Sequence, residues 1–295
     1  MSSKFSFSGH EKFACKHFWL KKGYDHFSIK RKIGEEYDVI ELGVGKNMVS
    51  SIKHWTKAFG LLNDSSLEPT QIGEYLLGEN GKDIYLEDFG SIWLLHYLLI
   101  KINKSSLYSL VFNDFRKEKI DFTKEQLIRF VERKCNEQKT DTFNKTTVQS
   151  DVDVFIRNYV KPEIESKGEL EDEFSCLLLE LNLVNEFHQI IDKKKQTWYK
   201  IEVDEKDDLP WQIVLYSILD NWQGQTSISF NSLLTESNSP ALVFALTQEG
   251  LYAKIKQMET AYKKFITYDE TAGNRVLQIK STLTKQIILD DYYQA

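Results

Sequence analysis

Glu35-Glu36-Tyr37-Asp38-Val39-Ile40-Glu41-Leu42-Gly43-Val44-Gly45-Lys46-Asn47-Met48-Val49-Ser50-Ser51-Ile52-Lys53-His54-Trp55 reads as a short helix, a tight glycine turn and a second helix that begins abruptly. Gly43 and Gly45 bracket one residue, so the backbone can turn through positive φ at little steric cost. Asn47 is placed to cap the second helix by accepting a backbone N–H. After it, Met48, Ile52, Trp55 and Phe59 follow at helical spacing and form one apolar stripe. The other face carries Lys46, Asn47, Ser50, Lys53, His54 and Lys57, whose side chains donate hydrogen bonds to phosphates and base edges. Helix-turn-helix DNA readers share this layout, and these six residues are the expected DNA contacts. A solvated polar face on a helical hairpin that binds nothing gives the same pattern.

Outward from this stretch the pattern extends. Leu61 to Thr70 reads as a small β-wing with a polar tip, and Thr70 to Leu77 as a further helix, which completes a winged-helix order. An apolar helix with Ile92, Trp93, Leu95, Leu98, Leu99 and Ile102 follows the turn at Asp83 to Asp88 and is expected to be buried. Thr123 and Gln126 make a capping-box pattern that opens a helix to about Cys135. Helices are also predicted over Thr146 to Tyr159 and Phe174 to Leu183. Strand-like runs over Val184 to Ile191 and Thr197 to Val203 flank Asp192-Lys193-Lys194-Lys195-Gln196. Three lysines on such a tip suit contact with phosphates, and equally suit a hairpin tip kept soluble. From Pro210 a helix, a short strand at Ser227 to Phe230, a strand at Leu242 to Ala245 and a helix at Thr247 to Tyr262 are predicted. A hairpin around Glu270 to Arg275 closes the chain. The fold class expected is therefore α+β and helix-rich, with tandem winged-helix-like units bearing small β-hairpin wings. The expected divisions are residues 1–118, 119–208 and 209–295.

Bulk properties narrow the function classes. The 295 residues carry a formal net charge of −6, so the protein is no generic basic coater of nucleic acid and any DNA contact must use local basic patches. Hydrophobic residues at 41% and aromatics at 13% suffice for real cores, and only 4 prolines leave long helices free to form. Cys15, Cys135 and Cys176 are odd in number and far apart, which argues against a disulfide framework and a cysteine zinc site, and fits a reducing cytoplasm. No apolar run reaches the roughly 18 residues of a membrane span, and the N-terminus lacks a signal-peptide core.

For chemistry, His10 and Glu11, with Lys22 following, place acid, base and cation close together in sequence, as needed to activate water or hold a phosphate. A hydrogen-bonding role for His10 and Glu11 in fixing the N-terminal arm is the competing reading. Asp151 and Asp153 lie two apart on a helix and point in different directions, so they cannot jointly chelate a metal, and Asp153 with Arg157 suits a helix salt bridge. There is no HExxH, PD-(D/E)xK, HNH, P-loop or GxGxxG pattern to defend.

Three motifs carry a resemblance. Ser8-Gly9-His10-Glu11-x-Phe13, Trp19-Leu20-Lys21-Lys22-Gly23-Tyr24-Asp25 and Leu42 to Val49 look like an uncharacterised-domain family of bacterial DNA phosphorothioation and phage-defence loci. Tyr85-Leu86-Glu87-Asp88, Trp93-Leu94-Leu95-His96 and Asp269 to Gly273 match the same family, so the resemblance spans nearly the whole chain. The chain departs from it at Cys15-Lys16-His17. SspB-like DNA nickases are one member type. The resemblance implies double-stranded DNA and other subunits of a phosphorothioation complex as partners, and Mg²⁺ or Mn²⁺ as cofactor if the protein nicks. His10, Glu11 and Lys22 are then the candidate catalytic residues. The rival readings are a non-catalytic DNA-binding scaffold and a transcriptional regulator of the same locus, the latter a homodimer on a palindrome.

Overall fold

A computed structural model describes residues 5–29, 35–139, 142–162, 176–271 and 273–294. Two compact units divide the chain, Met1–Glu202 and Val203–Ala295. The segments 1–118 and 119–202 thus share one unit, and the second begins at Val203, before the start at 209 read from the sequence. The architecture is α+β, with many helices and two small antiparallel sheets.

In the first unit, α1 (Trp19–Phe27), α2 (Glu35–Leu42) and α3 (Lys46–Ala58) pack together. Gly43 takes φ +60, the left-handed conformation that glycine alone adopts freely, and the space around it is open. Gly45 does not share this role. It is the N-cap of α3 in extended conformation, at φ −64 and ψ 157, with no side-chain cap. Asn47 therefore lies inside the first helical turn instead of capping it. Ile52, Trp55 and Phe59 are fully buried as the stripe predicts, whereas Met48 is only half-buried. Beyond α3 the expected wing is a loop closed by a single antiparallel bridge between Leu62 and Pro69. The Asn63 backbone N–H and Nδ2 both donate to the Glu68 carbonyl, at 2.9 and 3.0 Å, so one side-chain bond joins the few backbone bonds that close the loop. Thr70 then caps α4 (Gln71–Leu77) by accepting from Gly73 N–H.

The centre of the first unit is α5 (Phe89–Ile102), buried on every side from Gly90 to Ile100. Each large apolar side chain so buried contributes roughly 1.5–3 kcal/mol. Asp88 caps it and Asn103, at φ +58, ends it. Next come α6 (Ser106–Leu110), a π-helical turn over Val111–Phe115 and a two-residue strand, β1 (Asp121–Phe122). The Thr123/Gln126 capping box forms as predicted and opens α7 (Lys124–Glu137). Asn144 caps α8 (Lys145–Tyr159), whose Phe155 and Tyr159 rings pack 5.0 Å apart in the core. Phe174 lies outside the described residues. The following helical element is a 3₁₀ turn, Leu177–Leu181. The hairpin β2 (Val184–Ile191) and β3 (Lys194–Ile201) turns at Asp192 and Lys193, both at positive φ, and β3 also pairs with β1, giving the order β1-β3-β2.

The second unit opens on one helix and then follows the order of strand, helices and hairpin with which the first unit ends. Pro210 occupies the N-cap position of α9 (Trp211–Asn221) without a side-chain cap bond, and β4 (Ser227–Ser229) leads to α10 (Phe230–Thr235) and α11 (Pro240–Val243). The run from Leu242 to Ala245, expected as a strand, belongs to and follows α11. Pro240 at the first helical position presets the helical φ there and outweighs the strand preference of Val243 and Phe244. Thr247 caps α12 (Gln248–Ala261), and the hairpin β5 (Ile266–Thr271) and β6 (Asn274–Ile279) follows, with sheet order β4-β6-β5. A last helix, α13 (Lys285–Gln294), packs on α9. In each unit the strand preceding the helices pairs with the last strand of the hairpin. Among the described residues no helix is long and apolar enough to cross a membrane.

Candidate nucleic-acid interface

The outer face of α3 is built by subtraction. Val49, Ile52, Trp55 and Ala58 face the core, so Lys46, Asn47 and Ser50 remain exposed on the first turns. Lys53 lies half-buried, its ammonium 5.5 Å from the centre of the Phe27 ring. These four form a polar strip along the N-terminal half of the helix.

The two remaining predicted contacts point elsewhere. His54 Nε2 lies 2.8 Å from Ser105 Oγ, and the ring meets Trp55 edge-on at 5.3 Å and His10 edge-on at 6.0 Å. Burial, together with the nearby His10, pushes the His54 pKa down to about 3, so its ring is neutral near neutral pH. Lys57 donates to the Asp64 carbonyl at 2.6 Å, inside a cavity of about 430 Å³ that also holds Lys104. Lys104 in turn donates to Asp64 Oδ1 at 2.6 Å, which holds that carboxyl below its ordinary range. Burial lowers the Lys57 pKa, with Asp64 opposing the shift. Both residues brace the structure beneath α3 instead of extending its outer strip.

The same is true of His10. It is only 2% exposed and stacks on Trp55 with ring centres 5.8 Å apart. Its Nδ1 accepts from Lys12 N–H at 3.3 Å, which leaves Nε2 to donate to Asp151 Oδ1 at 3.0 Å. Asp151 also accepts Ser8 N–H on both oxygens, each at 3.0 Å. The arm is thus latched to α8, with Ser8, Gly9, Glu11 and Lys12 all at positive φ to make the turn. Glu11 is exposed in that turn and Lys22 is exposed on α1, so His10 is withdrawn from solvent where both of the others face it. Arg157 strengthens the latch by donating to the Lys12 carbonyl at 2.5 Å. Asp153 pairs with Lys124 at 2.7 Å, not with Arg157 as the i, i+4 spacing suggests. Asp151 is the residue that sequence reasoning undervalues. An acid on the same stripe as Val148, Val152 and Phe155 is the available sign of a buried partner.

A second basic feature is the tip of the β2–β3 hairpin. Lys193, Lys194 and Lys195 are exposed there, and Ile190, paired across the ladder with Lys195, is 82% exposed.

A family of proteins of unknown function, DUF4007, matches residues 7–293. The chain belongs to the DUF4007 family. Two solved structures share its fold. One is SspB with magnesium bound, at a TM-score of 0.83 and 27% identity, covering 98% of this chain and 88% of the other. The second is an SspB crystal structure, at a TM-score of 0.82 with the same identity and coverage. Among curated proteins none is similar to this chain. Among the described residues no three His, Cys, Asp or Glu side chains are grouped to hold a metal ion. The His10–Asp151 pair does not fit one either, because both ring nitrogens and both carboxylate oxygens are engaged in hydrogen bonds.

Proposed function

We propose that this protein binds double-stranded DNA as one subunit of a bacterial phosphorothioation-based defence system. The observation that carries the DNA reading is the outward strip Lys46, Asn47, Ser50 and Lys53 on a helix that follows a glycine turn. Such side chains hold phosphates and read base edges when a helix enters the major groove. The repeated element order of the two units, with sheets β1-β3-β2 and β4-β6-β5, supports a tandem winged-helix reading. In that reading the lysine-bearing hairpin tip is a wing lying against the phosphate backbone. The defence context rests on the family motifs and on the likeness to SspB along nearly the whole chain.

A second reading, nicking of one DNA strand to admit sulfur into the backbone, is favoured by the magnesium ion of the related SspB structure. The test is incubation with supercoiled plasmid, with and without Mg²⁺ or Mn²⁺. Metal-dependent open circles support the nickase. Intact plasmid with a retarded band supports a recruiting scaffold or regulator. The absence of both nicking and retardation overturns both readings.

A further inference from the structure

The end of the β2–β3 hairpin stands clear of the first unit. From Gln189 to Gln196 every residue is exposed, so three residue pairs, Gln189–Gln196, Ile190–Lys195 and Ile191–Lys194, extend beyond the half-buried His188 and Thr197. At about 3.3 Å per residue this ribbon projects by about 10 Å. It closes in a two-residue turn, Asp192 and Lys193, both at positive φ as the tight turn of a twisted ribbon requires. Lys193 thus keeps a side chain where glycine would be unstrained. Paired side chains share a face of the ribbon, so Ile190 and Lys195 lie on one face and Ile191 and Lys194 on the other. Ile190 is 82% exposed and Ile191 is 42% exposed. Among the described residues the ammonium groups of Lys193, Lys194 and Lys195 have no ion-pair partner. Asp192 is the one carboxylate in the stretch from Gln189 to Gln196.

We infer that this ribbon enters the major groove of DNA, with Ile190 against thymine C5-methyl groups and the three tip lysines on the flanking phosphates. The inference rests on the DNA-binding reading proposed above and carries the hairpin from the phosphate backbone to the base edges. The major groove, about 12 Å wide and about 8.5 Å deep, admits a two-stranded ribbon, and the projection of the hairpin matches its depth. The thymine methyl is the apolar feature that this groove presents. Solubility accounts for the lysines, but it gives no reason for an isoleucine set in water among them. Contact with a methyl group removes that apolar surface from water. Three lysines against one carboxylate supply the positive charge that the phosphates on either side of the groove attract.

The test uses the full chain and two duplexes, one of alternating adenine and thymine and the same duplex with every thymine replaced by uracil. The replacement removes the C5-methyl groups and leaves every hydrogen-bonding edge in place. The parent should bind the thymine duplex about fourfold more tightly, the worth of about one buried methyl group. Ile190→Ser should bind both duplexes equally, whereas Ile190→Leu should keep the preference. Replacing Lys193, Lys194 and Lys195 with Gln should weaken binding to both duplexes alike and leave the ratio between them unchanged, because phosphates carry no sequence information. All these positions are exposed, so each variant should melt with the parent. Parent binding without a thymine preference, or a preference that Ile190→Ser retains, overturns the inference and leaves the DNA reading standing. Failure of the parent to bind either duplex overturns the DNA reading and the inference with it.

Discussion

His54 shows how a residue that looks like a DNA contact becomes a folding determinant. Its ring sits so close under Gly9 that a Cβ added there would lie 2.5 Å from His54 Nδ1, and Gly9 itself needs φ +96. Gly9→Ala should therefore loosen the arm and lower the melting temperature, while leaving residues of the second unit unaffected in hydrogen exchange. The depressed His54 pKa fixes a sign for pH dependence. The native ring stays neutral down to about pH 3, whereas the unfolded ring takes a proton near its ordinary value of about 6.5. Stability is complete above that value and falls as pH drops through the window from about 6.5 to 3, with a slope approaching about 1.4 kcal/mol per pH unit. Urea unfolding at stepped pH should show this slope in the parent and lose it in His54→Gln. At His10 the structural and catalytic readings separate cleanly. His10→Ala leaves the buried Asp151 carboxylate with the Ser8 N–H alone, and the lost hydrogen bond to that charge should cost about 1.5–3 kcal/mol. An unchanged urea midpoint would remove the latch from the account.

At the scale of elements, the hairpin tip makes the sharpest prediction. Lys193, Lys194 and Lys195 are exposed, and the residues flanking them on both strands are exposed too, so replacing all three with Gln should leave stability untouched. DNA affinity should fall across all sequences, and the salt dependence should flatten by about one unit of slope for each phosphate no longer neutralised. A variant that binds as well as the parent at every salt concentration would reassign the tip to solubility. Local signals in the sequence reach these elements well. The Thr123/Gln126 box, the α3 stripe and both hairpins are legible because their causes lie within a few residues. Two elements mislead for equally local reasons. The extended backbone of Gly45 moves the α3 cap two residues ahead of Asn47, and Pro240 turns a β-like run into a helix start. The arm latch is beyond reach of any local rule, since His10 and Asp151 are 141 residues apart. What the sequence does hold is an acid on the apolar stripe of α8, whose meaning depends on a partner that only the fold supplies.

The whole molecule consists of two compact units that share a strand, helices and hairpin order around their small sheets, although their sequences share no repeat. Each has its own buried centre, α5 with α8 in the first and α9 with α12 in the second. A fragment spanning residues 203–295 should accordingly unfold in one cooperative transition, as expected of a domain of this size. A gradual, non-cooperative loss of helix on heating would show that it depends on the rest of the chain. A net charge of −6 over the molecule means that DNA association must come from local strips. The most direct test is therefore the affinity of the full protein for a short duplex, measured by fluorescence anisotropy across a salt series, for the parent and for Lys46→Ala/Lys53→Ala. Saturable binding that weakens as salt rises is expected of the parent, and weaker binding with a shallower salt slope at the same melting temperature of the variant. No binding at low salt, or parent and variant curves that coincide, would contradict the claim that α3 grips DNA.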